Sequence, residues 1–276
     1  MMRLPFSQID AFAGTPFTGN PAAVMPMQAW LADDILQKIA QENNLAETAF
    51  LVPCADPETA DWDLRWFTPG IEVALCGHAT MASGHLVLSS VPQAESVRFS
   101  TRKAGVLTVT REAGGYALAL PAWPADEAVT PEHHAAVAAA LGARPAEVWA
   151  RGSDYLVAVF ESAAEVRALA PDFRAIIDLQ RGGDILMIAT APGTSDPSGA
   201  DIVSRAFAPE AGVDEDSFTG SAHAIIALYW ARRLGRDAFT AYQASARGGH
   251  AGVRLEGDRV VLTGQCRTVI EGEFIL

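Results

Sequence analysis

The pattern of apolar and polar positions predicts short strands mixed irregularly with a few helices. Residues 3–12 alternate as a half-buried strand does, and the apolar runs at 47–53 and 63–68 also favour strands. Residues 31–42 place their apolar side chains on one face of a helix, and residues 103–120 predict a β-hairpin. Because strands and helices do not alternate strictly, the pattern favours an α+β fold over a doubly wound parallel sheet.

An internal repeat divides the chain into two similar halves. Residues 65–69 and 205–209 both read Arg-x-Phe-x-Pro, at an offset of 140. Each is followed by a glycine motif, CGH at 76–78 and TGS at 219–221, at an offset of 143. An apolar helical segment follows each motif, and the second, at 222–230, is apolar nearly all round. A helix of that kind is typically buried, so we expect two pseudo-symmetric lobes, each a mainly antiparallel sheet wrapped around a central helix.

The same repeat predicts the domain boundaries. We expect an N-terminal lobe at residues 1–122, completed by a C-terminal strand at about 266–276, and a C-terminal lobe at residues 123–265.

The composition of the chain limits the classes of function and partner that it can have. The 276 residues are 50% hydrophobic, which is ample for a core, and carry a net charge of −13 without a long acidic tail. This charge disfavours nucleic acid and anionic membrane surfaces as partners, because both require clustered Lys and Arg. The chain has three cysteines and neither a signal-peptide pattern nor an apolar run long enough for a transmembrane helix. We therefore expect a cytoplasmic protein without a disulfide framework.

Both glycine motifs fall where a loop enters a predicted helix. Helix N-termini carry unpaired backbone N–H groups and a partial positive charge, and glycine lets a ligand approach them closely. If the repeat brings two such ends together, they form a cradle for a carboxylate. The residues predicted to bind substrate at these helix starts are Gly77, Ala79, Gly220 and Ser221. The alternative is that both glycines only permit tight turns.

Four segments carry a resemblance to a known family. They are DAFAGTPFTGNPAAV (10–24), NNLAETAFLVP (43–53), RWFTPGIEVALCGHATMASGHLV (65–87) and AGVDEDSFTGSAH (211–223). They lie across both halves, and together they resemble the PhzF-like phenazine-biosynthesis isomerase family, relatives of diaminopimelate epimerase. The resemblance implies a diaminopimelate epimerase-like fold with the active site in a cleft, and a homodimer.

The resemblance also assigns roles to individual residues. It implies that Glu47 is the catalytic acid/base and that His78 and Asp216 assist it. Asn20 is a candidate to hydrogen-bond the substrate. Each has an alternative interpretation: Glu47 as a surface residue at a strand end, His78 as a structural histidine, Asp216 as a helix N-cap and Asn20 as a turn residue. The chain departs from the family at Ser217, where proline is frequent, which leaves the shape of that loop open.

Three functional hypotheses follow. The first is an isomerase that moves a proton on a small carboxylate substrate without a metal or cofactor, since the chain has no dinucleotide-binding glycine motif and no HExxH motif. The second is a thiol-dependent amino-acid racemase or epimerase that uses Cys76. It is disfavoured because Thr219 stands at the matching place in the second half, and a hydroxyl is a poor substitute for a thiolate. The third is a catalytically silent relative that only binds small molecules.

Overall fold

Residues 1–179 and 186–276 are described by a computed structural model of the chain. The chain divides into two compact units, residues 1–120 with 261–276 and residues 121–260. No helix among the described residues is both long and apolar enough to cross a membrane.

The elements follow the chain in a mixed order. The strands are β1 (Arg3–Ala11), β2 (Asn20–Pro26), β3 (Glu47–Pro53), β4 (Trp62–Phe67), β5 (Glu72–Val73), β6 (Ser96–Thr101), β7 (Val106–Glu112), β8 (Gly115–Pro121), β9 (Glu127–Ala128), β10 (Glu147–Arg151), β11 (Tyr155–Val159), β12 (Leu186–Pro192), β13 (Ile202–Phe207), β14 (Ala238–Gln243), β15 (Gly249–Glu256), β16 (Arg259–Gly264) and β17 (Cys266–Ile275). The helices are α1 (Asp33–Asn43), α2 (Gly77–Ser90), α3 (Pro131–Leu141), α4 (Ala163–Ala168), α5 (Phe173–Leu179) and α6 (Gly220–Leu234).

The two units share one pattern of strand pairing. In the first unit the neighbours run β17-β1-β2-β3-β4-β6-β7-β8, with parallel pairing at β2–β3 and β4–β6 and antiparallel pairing elsewhere in that series. In the second unit they run β9-β10-β11-β12-β13-β14-β15, with parallel pairing at β11–β12 and β13–β14. The alternation of parallel and antiparallel pairs is therefore the same, which confirms the predicted α+β fold with two pseudo-symmetric lobes.

Each unit has one helix that is buried on most of its surface. Residues 77–84, the first eight of α2, are all buried, and the helix packs against strands β1, β2, β3, β6, β7 and β17. Most of the first eight residues of α6 are also buried, and that helix packs against β14 and β15. The largely apolar sequence in the first two turns of both helices explains this, because a helix segment without a polar face has no side to turn to water.

The Arg-x-Phe-x-Pro repeat forms equivalent ion pairs in the two units. Arg65 on β4 donates to both carboxylate oxygens of Glu72, each at 2.7 Å, and its guanidinium lies 5.0 Å from the centre of the Phe67 ring. Arg205 on β13 donates to both carboxylate oxygens of Glu215, at 2.7 and 2.8 Å, and lies 5.0 Å from the Phe207 ring. Bidentate pairing and ring stacking both use the planar guanidinium, which explains why the repeat has Arg at this position.

The sequence pattern misses two short helices. The second unit contains α4 and α5, of six and seven residues, for which no helix is predicted. So few residues span about two turns, too few to establish a 3.6-residue period. Helix α4 begins instead with a capping box between Ser162 and Glu165, a local signal that the periodicity does not include.

The buried ion pair of the first unit predicts a difference in stability between two arginine variants. The Arg65 side chain is 3% exposed and pairs with both Glu72 and Asp33, so Arg65→Met leaves Glu72 with only the exposed Arg102 and should lower the free energy of unfolding by more than about 1 kcal/mol. Arg3 and Glu273 form a pair whose side chains are 56% and 53% exposed, so Arg3→Met should cost less than about 1 kcal/mol. Urea unfolding followed by circular dichroism measures both. Equal losses in the two variants would contradict the importance assigned to the buried pair.

Candidate active site

Two parallel strands place Asn20 and Glu47 close together. Helix α1 ends at Asn43, and Asn44 takes the left-handed conformation that turns the chain into the loop before β3. Strand β3 then starts at Glu47, which lies opposite Ala22 of β2, two residues beyond Asn20. Both side chains therefore lie at the same end of a parallel strand pair, although 27 positions separate them in the sequence.

The conformation of the chain before Asn20 depends on a glycine. Gly19 has a φ of +73°, and a Cβ added there would lie 2.2 Å from the carbonyl oxygen of Ala11. Only glycine tolerates both the positive φ and that close approach. Asn20 follows as the fully buried first residue of β2, which contradicts its interpretation as a turn residue.

His78 enters this site from the first turn of α2. Its Nε2 lies 3.0 Å from Oε2 of Glu47, and its Nδ1 lies 3.1 Å from Nδ2 of Asn20. If the Asn20 amide donates to Nδ1, the neutral ring carries its proton on Nε2, the nitrogen that lies 3.0 Å from Glu47. The Glu47 side chain is 18% exposed and that of His78 is 4% exposed. The interpretation of Glu47 as an exposed residue at a strand end does not fit this burial.

Cys76 is the third group beside the imidazole. It is the N-cap residue of α2, and its Sγ lies 3.5 Å from Nδ1 and 4.0 Å from Nε2 of His78. Burial and the nearby Glu47 carboxylate raise the pKa of the Cys76 thiol to about 11. Near neutral pH this cysteine is therefore a neutral thiol, although a helix N-terminus by itself favours the thiolate.

The charge on His78 depends on its neighbours. Burial lowers the pKa of an imidazole, whereas the Cys76 and Glu47 groups raise that of His78, and its net pKa lies well above the ordinary 6.5. Because the Cys76 thiol is neutral near neutral pH, the Glu47 carboxylate is the negative charge that stabilises an imidazolium there. The site thus pairs a carboxylate with a histidine that readily holds a proton.

The start of α2 has the features of an anion site. Gly77, His78 and Ala79 are buried, and their backbone N–H groups lie in the first turn of α2. Buried N–H groups at a helix start need acceptors, and the partial positive charge there favours an anion. The predicted residues Gly77 and Ala79 therefore lie in the same turn as His78.

In the second unit, a buried network surrounds the start of α6. The hydroxyl of Thr219 donates to Oδ2 of Asp216 at 2.6 Å, and the Thr219 N–H donates to the side-chain oxygen of Gln243 at 2.8 Å. The Gln243 amide donates in turn to the Asp216 carbonyl oxygen at 2.7 Å. Because α6 begins at Gly220 with Thr219 as its N-cap, Asp216 is not the cap residue. Ser221 is half-buried in the first helical turn.

Comparison with known proteins shows to which family the chain belongs. The family model described as phenazine biosynthesis-like protein matches residues 9–272. The chain belongs to the phenazine biosynthesis-like family. A protein of Pseudomonas aeruginosa named an uncharacterized isomerase is 45% identical over 277 residues, with 100% of each chain covered. Two solved structures extend this similarity to the fold.

The first is a crystal structure of a phenazine biosynthesis protein of the PhzF family from Enterococcus faecalis. It has a TM-score of 0.87 at 38% identity, and 100% of each chain is covered. The second is a predicted epimerase of Pseudomonas aeruginosa, with a TM-score of 0.75 at 22% identity and 99% of each chain covered. At that identity the second similarity concerns the fold alone. Both agree with the fold predicted from the family resemblance.

Within the family fold, the structure brings together part of the predicted site. Asn20, Glu47, Gly77, His78 and Ala79 lie around one helix start of the first unit. The other predicted residues lie at the start of α6 in the second unit: Asp216, Gly220 and Ser221. That the two helix starts form one cradle stays a prediction.

Sequence reasoning did not find two buried partners at these sites. Gln243 is fully buried and holds the α6 start, but no motif marks it in the sequence. His223 lies in a segment that the sequence pattern treats as apolar, and burial lowers its pKa to about 4. It is therefore neutral at physiological pH and acts as a packed core group, with its Nδ1 2.8 Å from the Thr219 carbonyl oxygen.

The contact between Glu47 and His78 predicts how this histidine titrates. Removing the carboxylate charge in Glu47→Gln leaves burial to dominate, so the pKa of His78 should fall. In the wild-type protein the raised pKa stabilises the fold below the unfolded-state value of about 6.5, and this stabilisation is lost as the pH rises through the folded-state value. Imidazole NMR resonances measured against pH follow the titration.

The control for this titration is Glu58→Gln. Glu58 is an exposed residue of the same unit, so its replacement should leave the His78 curve unchanged. A His78 curve that does not move in Glu47→Gln would show that the carboxylate does not set the protonation state of the histidine.

Proposed function

We propose that this chain is an isomerase that moves a proton between two carbons of a small carboxylate substrate, with Glu47 as the group that carries the proton. The main observation behind this proposal is that the partly buried carboxylate of Glu47 lies 3.0 Å from Nε2 of a buried histidine. The similarity to a protein named an isomerase supports the reaction class. Similarity of fold alone would not support a reaction class, because one fold supports many activities.

The proposed reaction balances with the groups of this chain alone. The Glu47 carboxylate removes a proton from a carbon next to a double bond, and the C–H electrons form a new double bond as the old one shifts. The protonated Glu47 then returns the proton to the far carbon of the allylic system. No electrons are gained or lost overall, so the proposed step requires no redox cofactor. A positioned acid/base group contributes about 10²–10⁴-fold to such a rate.

The neighbours of Glu47 have supporting roles in the proposal. His78 holds a proton beside the carboxylate, so it can donate a hydrogen bond to a substrate oxygen on which negative charge develops. The N–H groups at the start of α2 take the substrate carboxylate, because a buried helix N-terminus carries a partial positive charge. The Asn20 amide contacts the far side of the imidazole and thereby fixes its orientation.

A thiol-dependent racemization is the weaker candidate. It needs a thiolate, and the pKa of Cys76 is raised to about 11 by burial and by the Glu47 carboxylate. The matching group in the second unit is the Thr219 hydroxyl, which donates a hydrogen bond to Asp216. An acid/base role for Glu47 fits these groups better. A homodimer, which the family resemblance implies, and a cytoplasmic location, which the three sparse cysteines favour, complete the proposal.

The proposal predicts isotope exchange that depends on Glu47. A panel of small unsaturated carboxylic acids, incubated with the enzyme in deuterium oxide, should include a compound that gains deuterium at one carbon in the proton NMR spectrum. Glu47→Gln should slow this labelling by about 10²-fold or more, because the amide cannot take the proton. Glu58→Gln, at an exposed site in the same unit, serves as the matched control.

The outcome separates catalysis from binding alone. Undiminished labelling by a folded Glu47→Gln variant would remove Glu47 as the proton carrier. Retained binding with no labelling by either protein would favour the catalytically silent relative.

A second prediction concerns the substrate's charge. If the N–H groups of α2 hold its carboxylate, the methyl ester of an active compound loses a charge-assisted interaction of about 1.5–3 kcal/mol, or about 10- to 100-fold in affinity. Competition against the labelling reaction measures this loss. Equal binding of acid and ester would remove the helix start as the carboxylate site.

A further inference from the structure

A break in the strand pairing of the first unit is accompanied by a cavity beside β4. Strand β3 pairs with β4 along its whole length, so β5 and β6 share the other edge of β4. The pairing with β6 ends at Leu64, the pairing with β5 begins at Trp66, and Arg65 lies between them. A cavity of about 280 Å³ is lined there by residues of β4, of β5 and of the loop after β6.

The cavity is lined by a buried hydrogen-bond donor that has no acceptor. Trp66 lines the cavity and is only 2% exposed. Within residues 1–179 and 186–276, its indole Nε1 has no hydrogen-bond partner. The indole N–H groups of Trp149 and Trp230, in contrast, donate to Glu147 at 2.8 Å and to Thr190 at 3.0 Å. A buried N–H group without an acceptor is unfavourable, which favours a ligand that brings an acceptor atom.

The charged side chains around the cavity leave one cation uncompensated. Arg65 donates to Glu72 and to Asp33, at 2.7 and 2.9 Å. Arg102 contacts the same two carboxylates, at 3.0 and 3.7 Å, so these two arginines and two carboxylates balance in charge. Lys103 also lines the cavity, and in the part of the chain that the structure describes its ammonium group forms neither a hydrogen bond nor an ion pair. The cavity thus combines a free ammonium group with a free indole N–H.

We propose that this cavity binds a small monocarboxylate. A carboxylate carries one negative charge and two acceptor oxygens, so one oxygen accepts from the Trp66 indole and the other from the Lys103 ammonium group. A phosphate group carries more negative charge near neutral pH than the single free cation compensates. The cavity volume lies just below the usual range for ligand pockets, about 300–1,000 Å³, which restricts the ligand to a small molecule.

The proposed site is formed by other residues than the candidate active site. The side chains that line the cavity come from positions 64–66, 72–74 and 102–103, whereas the active-site groups are Asn20, Glu47 and His78. The proposal therefore does not rest on the proposed function. The two sites are connected along the chain, because Ala74 lines the cavity and Cys76, two positions later, is the N-cap residue of α2.

Titration with acetate, followed by the indole N–H resonances in the NMR spectrum, tests the site. We expect the Trp66 indole proton to shift downfield and to saturate, because a hydrogen bond to an anion deshields it. The resonances of Trp149 and Trp230 should stay in place, since their N–H groups are already bonded. Acetamide has nearly the same shape without the charge, and it should bind at least about tenfold more weakly than acetate.

Two lysine variants form a matched pair for this titration. Lys103→Met removes the free ammonium group and should weaken acetate binding by about tenfold or more. Lys38 is the other lysine of the chain and lies on α1, where it pairs with Asp34, so Lys38→Met should leave the titration unchanged. Trp66→Phe removes the indole donor and should weaken binding by about 2- to 10-fold, measured by the backbone amide resonance of Val73.

Three results would overturn the proposal. A Trp66 resonance that acetate does not shift would leave the cavity without a carboxylate ligand. An equal titration in Lys103→Met and the wild-type protein would remove Lys103 from the site. Tighter binding of inorganic phosphate than of acetate would contradict the assignment of a monocarboxylate. Acetate at the start of α2 is followed separately by the His78 imidazole resonances, so failure of one site is distinguishable from failure of the other.

Discussion

The burial of an ionisable pair at a helix start is the constraint on which the first unit depends. His78 is buried in the first turn of α2, where a charged side chain is costly unless a partner compensates it. Glu47 provides that partner because the parallel register of β2 and β3 sets its position. Asn20 completes the arrangement through the other ring nitrogen, and its own position depends on the turn at Gly19.

The two units use the same scaffold with different chemistry at the helix start. Thr80 and His223 occupy matching positions, and each contacts the carbonyl oxygen of its N-cap residue, at 2.5 Å for Thr80 and 2.8 Å for His223. The histidine of the second unit is neutral because burial outweighs its hydrogen bond to the Thr219 backbone, whereas that of the first unit lies beside a carboxylate. The two helix starts therefore share their backbone geometry, and the ionisable residues beside each histidine determine whether that histidine is charged.

Sequence reasoning succeeded where the information is local or repeated. The apolar run at 47–53 predicts β3 with its observed bounds, and the repeat predicts two similar lobes, which the shared strand pairing confirms. The contact between Asn20 and His78 was out of reach, because it depends on pairing between strands distant in sequence. Gln243 was missed for the same reason: it reaches Thr219 from a strand that follows α6.

The competition between burial and the helix N-terminus decides which chemistry the Cys76 position favours. A helix start stabilises a nearby anion by about 0.3–1 kcal/mol, whereas excluding water from a buried charge costs several kcal/mol. At Cys76 burial prevails and is reinforced by the negative charge of Glu47, so the sulfur keeps its proton. The same carboxylate that suppresses the thiolate supports a proton on His78. One charged side chain thus disfavours nucleophilic sulfur chemistry and favours proton transfer, which is why Glu47 and not Cys76 is the group to which the proposed reaction is assigned.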